Sequence, residues 1–267
     1  MNAASFRRRV LLILGLAAAG LTVVLCMNPV PQDPHYHDFA DQRPIFGLPH
    51  FWNVVSNLPF VLAGAAGLHL LLVRRGGRFR ERWERAGWVV LLASVFGVGF
   101  GSAYYHAAPT DATLFWDRIP MTLMFSAFLA LTIGERMRPA WGARMLGPLL
   151  AAGLGTLLYW QAFNDLRPYG LLQGLAMIAM PAMMLLFPPR YTRNSDLWAV
   201  VLLYAAAKAC ETFDVPIHRL FGDQMSGHAL KHLIAGLAGW RIVAMLRRRE
   251  PLPAAAEDVV RPAGAAA

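Results

Sequence analysis

The chain has 267 residues, of which 57% are hydrophobic and only 15% are charged, and its mean hydropathy is +0.41. This composition excludes most soluble domains and is typical of a polytopic membrane protein. The formal net charge of +9 would suit a nucleic-acid partner, but no nucleic-acid motif is present, and the positions of the arginines indicate membrane topology instead.

Eight apolar segments follow one another along the chain. Most approach the roughly 20 residues that an α-helix needs to span a bilayer. The segments lie at 10–27, 51–73, 87–106, 117–134, 145–163, 170–187, 197–211 and 226–246. The first follows three arginines, but no small-residue cleavage site comes after it, so we interpret it as a retained anchor rather than a signal peptide.

This pattern predicts an all-α fold, a polytopic membrane bundle with a seven-helix core and one extra N-terminal transmembrane helix. Residues 1–30 would hold cytoplasmic arginines and the extra helix, 31–50 an outer loop, and 51–249 the core. Residues 250–267, which are rich in Ala and Pro, are predicted to form a disordered cytoplasmic tail.

Basic residues alternate between the two sides of this predicted bundle. Seventeen of the 25 Lys and Arg residues fall on one side, whereas the other side holds only Arg43, Arg118, Arg167 and Arg219. Because basic loops stay in the cytoplasm, this pattern places both termini there and predicts residence in the inner (plasma) membrane.

Two histidine motifs lie at the predicted outer ends of these helices. Ser102 and His106 end one segment, Asp117 opens the next, and His228 and His232 lie in the first turns of the last. Their i,i+4 spacing puts each pair on one helix face, and the topology brings all five side chains to one membrane depth. Ionisable groups are costly in a bilayer, so this arrangement indicates a functional site.

Three histidines with one open coordination position are the ligand set of a catalytic zinc ion. Asp117 would accept a proton from water, and Ser102 would donate a hydrogen bond to the water or to a developing oxyanion. Taken alone, each residue also has an ordinary structural interpretation. A helix-end histidine is often interfacial, a serine often bonds its own i−4 carbonyl, and an aspartate that opens a helix is often a cap.

Several further polar residues lie in the predicted outer half of the membrane. We interpret Asn53, Ser56 and Asn57 as interhelical hydrogen-bond partners that support a metal ligand. Lys208 and Glu211, three residues apart, are expected to neutralise each other as a buried pair.

At these residues the chain resembles the alkaline ceramidase family, within the superfamily of seven-helix membrane hydrolases that also contains the adiponectin receptors. The matching pieces are Phe51-Trp-Asn-Val-Val-Ser-Asn57, Gly101-Ser-Ala-Tyr-Tyr-His106 with Trp116-Asp117, and Gly227-His-Ala-Leu-Lys-His232, within about residues 38–246. The resemblance implies Zn²⁺ on the three histidines, catalytic roles for Ser102 and Asp117, and hydrolysis of a ceramide amide to a sphingoid base and a fatty acid.

The sequence departs from the family pattern at two places. An extra helix at 10–27 precedes the core. The family also implies a Ca²⁺ site before Phe51, for which Asp38 and Asp41 are the candidate ligands, but His50 stands where an acidic residue is expected. Asp38 and Asp41 are equally typical of turns or helix caps in an outer loop.

The sequence therefore favours a zinc-dependent intramembrane amidohydrolase that acts on ceramide or a related N-acyl lipid. Its partner would be a membrane lipid rather than a nucleic acid. One alternative is a non-enzymatic lipid-binding or receptor-like protein, in which a fourth protein ligand would close a structural zinc site. Another is a haem-bearing electron carrier, but i,i+4 histidines on one helix do not suit opposed axial ligation.

Overall fold

The computed structural model describes residues 2–253, and all of its regular elements are helical apart from two isolated β-bridges. The helices are α1 (Ala3–Cys26), α2 (Phe51–Val55), α3 (Leu58–Leu68), α4 (Arg82–Ala107), α5 (Asp111–Arg136), α6 (Pro139–Phe163), α7 (Arg167–Leu186), α8 (Asn194–Thr212), α9 (Asp214–Leu220) and α10 (Gly227–Arg248), with a 3₁₀ turn at Pro34–His37 and a π-helical turn at His69–Val73.

Seven helical segments within residues 2–253 are long and apolar enough to cross a membrane. They are α1, the segment Phe51–Val73, α4, α5, α6, α7 and α10. The prediction of an all-α, polytopic membrane bundle is therefore confirmed, and the chain is an integral multi-pass membrane protein.

Helix α8, which covers the eighth predicted segment, is not among these seven candidates. Its 19 residues include Asp196, Lys208 and Glu211, so it offers no 18-residue stretch with fewer than three charged side chains. It nevertheless runs antiparallel to α10 over its whole length. Near one end Asp196 pairs with Arg241 at 2.7 Å, and near the other Glu211 pairs with Lys231 at 2.8 Å. A membrane crossing by α8 stays a prediction.

The segment Phe51–Val73 is interrupted where its polar residues lie. Pro59 stands at the start of α3, and a proline cannot donate the backbone hydrogen bond that would continue α2 smoothly into α3. The Asn57 amide compensates locally by donating to the Asn53 carbonyl at 2.7 Å. The Ser56 hydroxyl donates to the same carbonyl at 3.4 Å. This break brings polar side chains to membrane depth, and their donors bond within the same segment, whereas the buried Asn57 Oδ1 has no partner among the described residues.

Helix α1 packs on the outside of the bundle, against α7. The ring centroid of Phe6 lies 5.7 Å from that of Phe187, and most other α1 side chains face outward. Asp165 ties the segment after α1 to the start of α7, because it accepts from the Val30 N–H at 3.2 Å and pairs with Arg167 at 2.8 Å. Hydrogen bonds from the Arg167 side chain lower the pKa of Asp165 to about 2.

The segment that follows α10 is held at the opposite end of the bundle. Arg249 is buried, pairs with Glu135 at 2.6 Å and lies 4.1 Å from the centre of the Tyr191 ring. Pro251 forms a β-bridge with Tyr191. Glu250 and Leu252, in the first part of the predicted disordered tail, form backbone hydrogen bonds with Thr192 and Arg190. Residues 254–267 lie outside the described part of the chain, and disorder of the tail stays a prediction.

Candidate metal centre

Three histidines from two helices converge at one end of the bundle. His106 lies in the last turn of α4, and His228 and His232 lie in the first turns of α10. All three are buried, and one ring nitrogen from each lies within 4.8 Å of the others. In residues 2–253 this is the one convergent group of three or more histidine, cysteine or acidic side chains.

The donor atoms of this group suit a metal ion. The Nε2 atoms of His106 and His228 are 3.2 Å apart, so two lone pairs would repel unless a proton or a metal lies between them. Neutral imidazole nitrogens in a set of three are the ligands of catalytic zinc sites. The three histidines thus fit Zn²⁺, and their geometry supports a metal-binding site.

The start of α10 is fixed by caps that position His228. Ser226 is the N-cap residue and accepts a hydrogen bond from the Ala229 N–H at 3.0 Å. Asp214 accepts from the His228 N–H at 2.7 Å. Gly227 lies against the Cys210 carbonyl, where a Cβ atom would clash, so the α10 backbone can approach the end of α8 closely.

The three predicted supporting residues of the segment after Phe51 have different contacts. The Ser56 hydroxyl lies 2.9 Å from Nδ1 of His232. Asn53 links the outer loop to the cap of α10, because its amide donates to the Asp41 carbonyl at 3.3 Å and its Oδ1 accepts from Ser226 at 3.3 Å. Asn57 bonds locally. Ser56 is thus the member of the three whose side chain touches a histidine of the group, and the Asn53 backbone also bonds to His232.

Ser102 and Asp117 lie side by side between α4 and α5. Both are buried and line the cavity that adjoins the histidines. Gly101 allows this approach, because a Cβ atom there would lie 2.6 Å from the Trp116 carbonyl oxygen. The capping interpretation of Asp117 is wrong, since α5 begins six residues earlier with Thr110 as its cap.

The loop between α1 and α2 covers the histidine group. The Phe39 ring lies edge-on to His106 and His228, with centroid distances of 4.7 and 4.6 Å. The Ala40 N–H donates to Asp214 at 3.0 Å, which ties this loop to the residue that caps His228. Sequence reasoning missed Phe39 and Asp214, and an acidic residue in an outer loop was the only available signal for Asp214.

Lys231 lies next to the histidines. Its Nζ is 3.0 Å from Nε2 of His228 and 2.8 Å from the Glu211 carboxylate. Because Lys231 precedes His232 directly, its side chain is expected to point away from that histidine. However, Lys231 lies three residues after His228, so it shares that helix face, and its long side chain reaches the His228 ring. The predicted ion pair of Lys208 and Glu211 is present, but the prediction that it is buried is wrong, because the Lys208 side chain is 46% exposed. Lys231 is a second cation on the same carboxylate.

A cavity of about 250 Å³ adjoins the metal-ligand group. Ser102, Asp117 and His232 lie at its polar end. Its apolar walls include Phe60, Leu91, Val95, Phe128, Met180 and Ile242. Leu91 is 11 residues before Ser102 in α4, and Phe128 is 11 residues after Asp117 in α5. Each separation corresponds to about 16 Å of helix. Helices α7 and α8 both line this cavity but share no extensive contact with each other.

The two candidate calcium ligands differ in burial and in their partners. Asp38 is exposed and pairs with His35 at 2.9 Å, and the hydrogen bond that His35 donates to Asp38 raises the pKa of His35. Asp41 is buried and pairs with Arg43 at 2.8 Å. Burial acts to raise the pKa of Asp41, but hydrogen bonds from Arg43 outweigh it, and the pKa is lowered. A carboxylate already paired with arginine is a poor Ca²⁺ ligand.

Comparison with known proteins gives one match. A family model described as Ceramidase matches residues 48–250, which is more than half of the chain. The matched part begins after α1 and contains all three histidines, Ser102 and Asp117. No curated protein matches the chain.

Proposed function

This chain belongs to the ceramidase family, and on that premise we propose that it is a zinc-dependent hydrolase of the membrane interior. Its substrate would be ceramide or a related N-acyl lipid, and its products a sphingoid base or other amine and a fatty acid. The observation that carries this proposal is the group of His106, His228 and His232 at the polar end of a deep apolar cavity.

Each residue of the site has a defined task in this proposal. His106, His228 and His232 hold Zn²⁺, which supplies Lewis acidity and lowers the pKa of a water molecule. The Asp117 carboxylate accepts a proton from the attacking water and later returns it to the leaving amine. The Ser102 hydroxyl donates a hydrogen bond to the carbonyl oxygen as negative charge develops there.

The cavity accounts for the choice of a lipid substrate. A lipid amide would lie beside the polar residues, and one chain would extend about 16 Å along the apolar walls. The gap between α7 and α8 gives chains a route from the bilayer. With the predicted cytoplasmic termini, the reacting amide would lie near the outer face of the inner membrane.

The non-enzymatic alternative requires a closed metal site. In residues 2–253 the convergent group contains three histidine, cysteine or acidic side chains and no fourth, which favours the open site of an enzyme. A haem carrier is disfavoured because the histidine and Phe39 rings pack with centroids 4.6–5.0 Å apart, which leaves no planar gap for a porphyrin.

Metal analysis of the pure protein, combined with mass-spectrometric detection of fatty acid released from N-acyl lipids, tests this function. The wild type should bind zinc and release fatty acid, and His232→Ala should lose both. The control is His69→Ala, an exposed histidine in the π-helical turn, which should retain both. Full zinc content and turnover in His232→Ala would disprove the assignment.

A further inference from the structure

Arg118 is a buried guanidinium group with one end unpaired. It follows Asp117 on α5 and is only 4% exposed. Its Nη2 donates to the Gln32 side-chain oxygen at 2.8 Å, but its buried Nη1 has no hydrogen-bond partner. No carboxylate among the described residues forms an ion pair with it. A buried charge without a counter-charge is costly, and such groups are usually paired or functional.

Three aromatic rings surround this guanidinium group. Its central carbon lies 4.3 Å from the centre of the Trp160 ring, 5.0 Å from that of Tyr169 and 5.4 Å from that of Tyr36. Cation–π attraction to these rings offsets part of the desolvation cost. The rings hold the planar group in one orientation, but they leave Nη1 without an acceptor. A fixed guanidinium edge with free N–H groups is suited to a carboxylate or a phosphate.

The unpaired guanidinium lines the same cavity as the metal centre. Arg118, Tyr36 and Tyr169 are among the residues that line it, together with Asp117 and His232. Because Arg118 and Asp117 are consecutive, a ligand whose reacting amide lies beside Asp117 would present its headgroup close to Arg118.

The charges at this end of the cavity are unequal. Arg118, Lys208 and Lys231 are the cations of the lining, whereas Asp117 and Glu211 are its carboxylates. Glu211 is shared by the two lysines. The polar end is therefore positive even before a metal ion is counted, and a positive cavity with apolar walls attracts anions.

From these contacts we propose that Arg118 and its three aromatic neighbours form a subsite for an anionic group on the headgroup of the lipid whose amide lies at the metal centre. The inference rests on the proposed function and narrows its substrate class. The preferred substrate would be an N-acyl lipid whose headgroup carries a phosphate or carboxylate, rather than a neutral ceramide.

The test compares two lipids that share one acyl chain, a neutral ceramide and its phosphorylated form. Wild type should show the higher kcat/KM on the phosphorylated lipid. Arg118→Gln should reduce this preference at least about tenfold, mainly through KM, because a charge-assisted hydrogen bond is lost. Arg118→Lys, which keeps the charge but not the planar fork, should have an intermediate preference. Arg219→Gln removes an exposed arginine of α9 and should leave the preference intact.

Three outcomes would overturn the subsite. They are equal kcat/KM on both lipids in wild type, an equal loss on both lipids in Arg118→Gln and Arg118→Lys, or altered inhibition by free fatty acid without altered headgroup preference. Native mass spectrometry of the phosphorylated lipid bound to each variant separates this inference from the proposed function. Arg118-dependent binding without turnover would sustain the subsite and refute the hydrolase.

Discussion

The contact between Ser56 and His232 determines which ring nitrogen is available to a metal. With Nδ1 hydrogen-bonded to the Ser56 hydroxyl at 2.9 Å, Nε2 is the free ligand atom. Such partners of metal-bound histidines fix the ring orientation, and their loss typically weakens metal affinity by about 10–100-fold. We expect a loss of this size in Ser56→Ala, measured by competition for zinc with a chelator.

Ser94→Ala is the matched control for this measurement. The Ser94 hydroxyl donates to the Val90 carbonyl of its own helix at 2.8 Å and touches no histidine. Its replacement should leave zinc affinity unchanged. Equal affinities in Ser56→Ala and the wild type would show that the hydrogen bond does not support the ligand.

At the residue scale, local spacing made the metal ligands predictable and tertiary contact made the other site residues unpredictable. His228 and His232 share a helix face by their spacing alone, and His106 joins them through the order of the helices. Phe39 meets them from the loop between α1 and α2, and Asp214 meets them from the first turn of α9. No periodicity marks such contacts. Arg118 was counted only as a topological charge, because its aromatic neighbours come from three other segments.

At the scale of elements, Gly101 controls the distance between α4 and α5 where Ser102 and Asp117 meet. A Cβ atom there would lie 2.6 Å from a backbone oxygen and 3.3 Å from Cα of Asp117, and neither atom can rotate away. We expect Gly101→Ala to separate the helices and to destabilise the protein by about 1–3 kcal/mol, as overpacking does. Thermal unfolding and fatty acid release would measure the two effects.

Gly155→Ala, in the middle of α6, provides the comparison. No atom outside its own helix lies within 4 Å of a Cβ atom built there, so alanine should be neutral or stabilise the helix by up to about 1 kcal/mol. A Gly101→Ala variant as stable and active as Gly155→Ala would show that the α4–α5 approach does not depend on glycine.

Hydropathy predicted the elements that are apolar throughout, and it was weakest for α8. The charges of that helix are paired within the bundle, Asp196 with Arg241 and Glu211 with Lys231. A hydropathy average treats a paired charge like an exposed one, so it underestimates the tendency of α8 to span a membrane. Hydropathy also did not predict the break between α2 and α3 before Pro59, where the Asn57 side chain bonds to the Asn53 carbonyl in place of a backbone N–H group.

At the scale of the whole molecule, the number of crossings decides which side each loop faces. With eight spans both termini lie in the cytoplasm, and the loop after α9 lies outside. If α8 did not cross, α10 would begin on the inner side, across the membrane from the end of α4, although the Nε2 atoms of His106 and His228 are 3.2 Å apart. The charge pattern favours the first arrangement.

Cysteine labelling tests which side of the membrane the two termini and the loop after α9 face. In a background of Cys26→Ser and Cys210→Ser, single cysteines would replace the exposed residues Ala4, Gln224 and Pro253. A membrane-impermeant maleimide on intact cells should label Gln224→Cys, and the other two only after permeabilisation. Labelling of Ala4→Cys and Pro253→Cys but not Gln224→Cys in intact cells would reverse the predicted orientation.

The Phe39 ring over His106 and His228 also bears on the kinetics of a hydrolase built this way. Each cleavage would consume one water molecule, and His106 and His228 beneath this ring are only 1% and 6% exposed. The replacement water must therefore arrive through the cavity that the lipid chain itself will fill. That shared route implies an ordered reaction, in which water enters before the lipid and product departure admits the next water.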